Sequence, residues 1–128
     1  TKDSSIVYFP AEQILFSGDL IFSKAFPYGA DPTVDPDEWL QVLKNVLEMP
    51  VRTIIPGHGP ICDKREVQAY IDFIKTVKDK MIAMIRAGKT AEEITKDEDY
   101  PPFYSISADP RRQSTLAQWY KVWHQKAG

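Results

Sequence analysis

The sequence has few of the residues on which several protein classes depend. Only one of its 128 residues is cysteine, Cys62, so no internal disulfide can form, which is compatible with a reducing compartment. No apolar run approaches the roughly 20 residues that a membrane-spanning helix needs. The net charge is −2, without the basic excess that nucleic-acid backbones attract. We therefore predict a cytoplasmic chain that binds neither membrane nor nucleic acid.

Histidine is almost as scarce, since the chain contains only His58 and His124. His58 lies in the segment IIPGHGP at residues 54–60, where an apolar strand runs into a loop rich in glycine and proline. A histidine presented at a strand end in this way indicates a metal ligand or a proton carrier. The alternative is a surface turn that happens to hold a histidine. His124 has no partner at a suitable spacing, so we do not predict it as a ligand.

A carboxylate interrupts a second apolar segment, QILFSGDLIF at residues 13–22. Burying Asp19 in such a run costs free energy unless a cation meets its charge. A metal ion would do so, because carboxylate oxygens are ordinary ligands of zinc and of harder cations. The alternative is that Ser17, Gly18 and Asp19 form a plain turn between hairpin strands.

Taken together, the FSGDL and IIPGHGP segments resemble the metallo-β-lactamase superfamily, with its hydroxyacylglutathione-hydrolase-like branch as one candidate. The resemblance implies that Asp19 bridges two metal ions and that His58 completes the second metal site. It implies zinc, with iron or manganese as alternatives. It also implies a hydrolase in which a metal-bound hydroxide attacks a small-molecule ester, thioester or lactone.

The HxHxDH motif and the later GHT histidine of that family are absent from this sequence. The opening residues, Thr1 to Ser4, resemble those that follow the GHT histidine. We therefore expect the C-terminal half of a metallo-β-lactamase-type αββα sandwich, inactive by itself and completed by an N-terminal half. Its uncovered sheet face should make the isolated chain self-associate. A non-catalytic scaffold is the alternative, and a lone His58 base in an unrelated hydrolase is weaker because no G-x-S-x-G is present.

The patterning predicts an α/β fold with added C-terminal helices. We expect a hairpin at 4–9 and 13–17, a strand at 51–55, and helices beginning near Asp35, Asp63, Thr90 and Asp109. We assign residues 1–88 to the metallo-β-lactamase-like region and 89–128 to a helical extension packed on it.

The loop at residues 23–34 carries two aromatic side chains, Phe26 and Tyr28. In the family this loop lines the substrate mouth, so the resemblance implies that both residues bind substrate. The alternative is that they pack over the edge of the sheet.

Overall fold

The computed structural model describes residues 4–104 and 109–127. Thr1 and the last residue of the predicted extension lie outside this range. The fold is α/β, as the sequence predicts. Its elements are β1 (Val7–Phe9), β2 (Ile14–Phe22), α1 (Pro36–Glu48), β3 (Thr53–His58), α2 (Lys64–Arg86), α3 (Ala91–Thr95) and α4 (Pro110–Ala127).

The three strands form one sheet in the order β1-β2-β3. β2 is antiparallel to β1 and parallel to β3, and α1 makes the crossover between the parallel pair. Because parallel strands end at the same edge, the C-terminal ends of β2 and β3 meet there. The topology alone therefore brings the Asp19 segment and the His58 segment together.

The predicted helix starts are confirmed by their caps. Asp35 accepts a hydrogen bond from the backbone N–H of Asp37, and Asp63 accepts one from Arg65. At α3, Thr90 and Glu93 form a reciprocal capping box. α2 ends before Gly88, which adopts φ +77°. These capping hydrogen bonds form between residues close in sequence, so they fix the helix start independently of tertiary packing.

The end of β3 differs from the prediction. The strand was expected at residues 51–55, but it continues to His58. Pairing with β2 carries it on, because Phe22 is the register partner of His58 and the N–H of Ser23 donates to the His58 carbonyl at 3.0 Å. His58 is therefore the last residue of a strand and not part of a free loop.

One face of the sheet is covered by helices and the other is open. Leu15 and Ile54 point toward the helices and are fully buried. On the opposite face, Val7, Phe9 and Phe16 are 54%, 46% and 41% exposed. Phe9 and Phe16 form an edge-to-face pair with ring centres 5.7 Å apart. Apolar side chains thus cluster on a sheet face that no described element covers.

The C-terminal helix α4 shares the core of the sheet-covering helices. Trp119 and Trp123 are almost fully buried, and Trp119 meets Trp39 of α1 edge to face at 6.4 Å. The hydroxyl of Thr115 accepts a hydrogen bond from the N–H of Gly29 at 3.0 Å. A Cβ atom at Gly29 would lie 3.1 Å from Nε1 of Trp119 and 3.2 Å from the methyl group of Thr115, so glycine allows α4 and the 23–34 loop to approach closely.

Asp37 links three helices through its carboxylate. It accepts hydrogen bonds from Lys78 of α2 at 2.7 Å, and from Trp123 and Lys126 of α4 at 3.1 and 2.9 Å. Burial alone would raise the pKa of the Asp37 carboxyl, but these donors outweigh burial and lower the pKa to about 2. The ionised carboxylate therefore contributes to the packing of α4.

Arg112 is the other polar anchor of α4. Its side chain is buried and donates to the carbonyl groups of Tyr100, Pro101 and Pro102 at 2.9–3.0 Å. Its guanidinium also lies 5.6 Å from the centre of the Phe26 ring. A buried guanidinium needs such acceptors, so the 100–102 segment is held on α4.

Candidate metal centre

Asp19 and His58 face each other at the shared edge of β2 and β3. The Oδ1 atom of Asp19 lies 3.2 Å from the Nε2 atom of His58. Both side chains are open to solvent, with 70% and 60% of their surface exposed. A polar contact between two exposed side chains adds little stability, so the fold does not need this contact to hold its strands together. Both donors are accessible to a ligand from solvent.

An irregularity in β2 directs Asp19 to this edge. The register with β3 shifts between Phe16 and Gly18 and again between Gly18 and Phe22. Gly18 adopts φ +53°, a conformation that other residues rarely take. Such bulges bend a strand and re-aim its side chains. The Ser-Gly-Asp sequence therefore interrupts the pairing pattern inside a continuous strand, and the alternative of a plain turn between hairpin strands does not occur.

The glycines on either side of His58 allow the two strand ends to touch. A Cβ atom at Gly57 would lie 2.6 Å from Oδ1 of Asp19 and 2.7 Å from the carbonyl oxygen of Gly18. Gly59 adopts φ +88°, and a Cβ atom there would collide with the carbonyl group of Ser23. Side chains at either position would push β2 and β3 apart at the level of the Asp19–His58 pair.

Phe22 fixes the plane of the His58 ring. The two rings stack with centres 5.0 Å apart and an angle of 8° between their planes. Phe22 is buried, so it offers a fixed surface, whereas the other side of the imidazole is open. Stacking fixes the plane of the imidazole but still allows the ring to turn within that plane. In the structure, the Nε2 edge of the ring faces the Asp19 carboxylate.

A cavity of about 680 Å³ opens beside Asp19. Its apolar lining includes Leu20, Val34, Trp39 and Val42, from β2, the following loop and α1. Tyr28 also lines it and is 55% exposed. The size and lining are typical of a small-molecule site.

The two aromatic candidates of the 23–34 loop have different surroundings. Tyr28 lines the cavity beside Asp19. Phe26 is buried against Phe73, with ring centres 5.5 Å apart, and does not line the cavity. The packing alternative therefore describes Phe26 and not Tyr28.

The Asp19–His58 pair fits a metal ion in donor type and spacing. Carboxylate oxygen and imidazole nitrogen are ordinary zinc ligands, and two donors on one tetrahedral zinc lie roughly 3.3–3.6 Å apart. The observed separation of 3.2 Å is close to that range. Within residues 4–104 and 109–127, no group of three or more His, Cys, Asp and Glu side chains is placed to hold a metal. Two donors are fewer than the three or four protein ligands that zinc takes, so the pair does not by itself complete a zinc site.

Cys62 lies near this edge but is not one of the assembled donors. Its backbone pairs with Ile54 through hydrogen bonds of 2.8 and 2.9 Å. Burial raises the pKa of the Cys62 thiol, which disfavours the thiolate that would bind metal.

Comparison with known proteins agrees with this geometry. The sequence model of the metallo-beta-lactamase superfamily matches residues 1–58, a segment that contains both Asp19 and His58. This chain belongs to the metallo-β-lactamase superfamily. It is also similar to the beta-lactamase-like protein 2 homolog of Caenorhabditis elegans, with 30% identity over 95 residues. The aligned part is 74% of this chain and 30% of that protein, so the chain spans about a third of the relative's length.

Two features of this metallo-β-lactamase-like edge were not predicted from the sequence. Phe22 supports the His58 ring by stacking on it. Glu38, in the first turn of α1, lines the cavity beside Asp19. A signal for Phe22 existed, because parallel pairing of the two motif strands puts the residue three positions after Asp19 next to His58. No comparable local signal exists for Glu38.

Finally, none of the described helices combines the length and the apolar character that crossing a membrane requires.

Proposed function

We propose that this chain contributes Asp19 and His58 to the metal site of a hydrolase that cleaves a small ester, thioester or lactone. The observation that carries the proposal is the 3.2 Å approach of Asp19 Oδ1 to His58 Nε2 beside a cavity large enough for a small molecule. Membership of the metallo-β-lactamase superfamily supports the same assignment. The remaining ligands would come from a complementary half of a longer protein.

The residues of this chain would hold the metal and fix its position. The neutral imidazole of His58 offers a lone pair at Nε2, and stacking on Phe22 limits the directions in which that lone pair points. The Asp19 carboxylate has two oxygens and could therefore bridge two ions. Zinc, or iron or manganese in its place, supplies Lewis acidity and a nucleophile at neutral pH, because zinc lowers the pKa of bound water to about 7.

The test is metal content and hydrolysis in the full-length protein that carries this chain. We expect Asp19→Asn and His58→Gln each to lower metal occupancy and to reduce kcat/KM at least 100-fold, with urea stability nearly unchanged because the pair is exposed. Asp72→Asn, an exposed carboxylate of α2, is the matched control. Unchanged metal content and activity in both site variants would refute the proposal.

A non-catalytic scaffold is the second candidate. It is favoured by the assembly of only two metal donors at the described edge, and by the open apolar face of the sheet. For the isolated chain, both candidates predict much less than one tightly held zinc per molecule by elemental analysis. They differ in the full-length protein, where the scaffold predicts no metal-dependent hydrolysis of any ester.

A further inference from the structure

The cavity beside Asp19 has an uneven distribution of charge. Besides its apolar surface, it is lined by the carboxylates of Asp19, Asp31, Asp35 and Glu38. No lysine, arginine or histidine of the described residues lines it. If Asp19 is engaged by metal, three carboxylates remain to act on the non-reacting part of a bound molecule.

These three carboxylates are not equivalent. Asp35 caps α1 and lies 2.9 Å from the Nζ atom of Lys126, so its charge is largely compensated. Asp31 accepts hydrogen bonds from the hydroxyl and the N–H of Thr33, and these lower the pKa of its carboxyl. Glu38 is exposed in the first turn of α1. The N-terminus of α1 contributes only about half a positive charge, which Asp31 and Glu38 together exceed.

The aromatic lining matches this negative charge. Tyr28 exposes more than half of its surface at the cavity, so it supplies the accessible aromatic face, whereas Trp39 lines the cavity from α1 with only 8% of its surface exposed. The faces of tyrosine and tryptophan rings attract cations such as quaternary ammonium groups. Aromatic faces and carboxylates therefore favour the same class of ligand, and the aliphatic lining from Leu20 and Val42 accommodates a hydrocarbon chain.

We propose that this cavity selects substrates whose non-reacting part is an apolar chain carrying a neutral or cationic end, and that it rejects anionic ends. Tyr28 and Glu38 are the specificity-determining residues. This inference rests on the proposed function, because the cavity is assigned as the substrate site through its position beside Asp19. Among esters, thioesters and lactones, it restricts the expected substrates to those whose non-reacting end carries no negative charge.

The kinetic test compares three p-nitrophenyl esters of matched chain length: the hexanoate, its 6-trimethylammonio derivative and the mono-ester of adipic acid. In the full-length protein we expect the cationic ester to exceed the anionic one about 10-fold in kcat/KM at low salt, from one charge at roughly 6 Å in water. Glu38→Gln should remove most of that ratio. Glu48→Gln, at the opposite end of α1, should leave it unchanged.

Tyr28 is tested by the preference for the cationic over the neutral ester. Tyr28→Phe keeps an aromatic face and should keep this preference, whereas Tyr28→Leu should lower it several-fold. A higher kcat/KM for the anionic ester, or a cation-to-anion ratio that Glu38→Gln leaves intact, would overturn the inference.

A binding experiment on the present chain separates the inference from the proposed function. Amide chemical shifts at Tyr28, Glu38 and Val42 should move on titration with benzyltrimethylammonium and stay in place with benzoate. If the cation binds but no ester is hydrolysed by the full-length protein, the proposed function fails and the charge selection stands. If benzoate moves these signals and the cation does not, the charge selection is wrong.

Discussion

Replacing Gly57 by alanine would insert a methyl group between the two strand ends that carry Asp19 and His58. The new Cβ atom would lie 2.6 Å from Asp19 Oδ1 and 2.6 Å from the carbonyl carbon of Gly18, whereas ordinary contact begins at 3.4 Å. Each contact is thus about 0.8 Å too short. Because Gly18 contributes backbone atoms, its contact is relieved only if the strands separate, whereas the contact with Oδ1 is also relieved if the Asp19 carboxylate swings away from His58.

Both routes of relief have measurable consequences. Overpacking of this kind costs about 1–3 kcal/mol of folding free energy. Displacing Asp19 from His58 should weaken metal binding by roughly 10–100-fold, the range seen when groups that orient ligands are changed. Urea unfolding of the apo-protein measures the first effect. Competition for zinc against a chelator, in the full-length protein, measures the second.

Gly88→Ala is the matched control. Gly88 adopts φ +77°, and a Cβ atom there would meet no heavy atom within 4 Å. Alanine should cost about 1 kcal/mol through left-handed strain alone and leave zinc affinity unchanged. If Gly57→Ala bound zinc as tightly as the parent protein, close approach of Gly57 to Asp19 would not be a requirement of the site.

Three further predictions concern the rest of the fold. Folding lowers the pKa of Asp37 from 3.8 to about 2, so the ionised carboxylate should add about 2 kcal/mol to the free energy of unfolding above pH 4. This contribution should be lost as the pH falls through 2. Asp37→Asn should flatten the acid part of the curve of urea stability against pH. Arg112→Met should cost roughly 2–5 kcal/mol in urea unfolding because three carbonyl groups lose the Arg112 donor, whereas Arg111→Met, which removes a guanidinium that is itself 73% exposed, should cost under about 1 kcal/mol. Phe9→Lys on the open sheet face should reduce self-association of the isolated chain in sedimentation velocity, and Ile61→Lys, at a more exposed position elsewhere, should not; a parent chain that stays monomeric at high concentration would contradict this prediction.

The sequence predicts the helices well because their start signals are local. Asp35, Asp63 and Thr90 satisfy backbone N–H groups within three residues of themselves, so no distant contact is needed to recognise them. The meeting of Asp19 with His58 was also predictable, although through the family resemblance. Parallel pairing of β2 with β3 now supplies the physical reason.

The lining of the cavity could not be predicted in the same way. Phe26 and Tyr28 lie two residues apart in one loop, and their sequence surroundings do not distinguish core from cavity. Phe26 is buried because Phe73 of α2 and Arg112 of α4 meet it from distant parts of the chain. Glu38 reaches the cavity because α1 crosses beside the end of β2. Both outcomes depend on tertiary packing and not on local pattern.

The glycines around His58 have a physical meaning that the isolated motif does not reveal. In the sequence they suggest a flexible loop, in which glycine is needed for unusual backbone angles. Only Gly59 meets that description, with φ +88°, whereas Gly57 lies within β3 and is needed for space beside Asp19. The space that a side chain at Gly57 would need is occupied by Asp19 and by the backbone of Gly18. The glycine before His58 is therefore a signal of the neighbouring strand end, and it links the IIPGHGP segment to the FSGDL segment through packing, independently of the metal site that we propose for both.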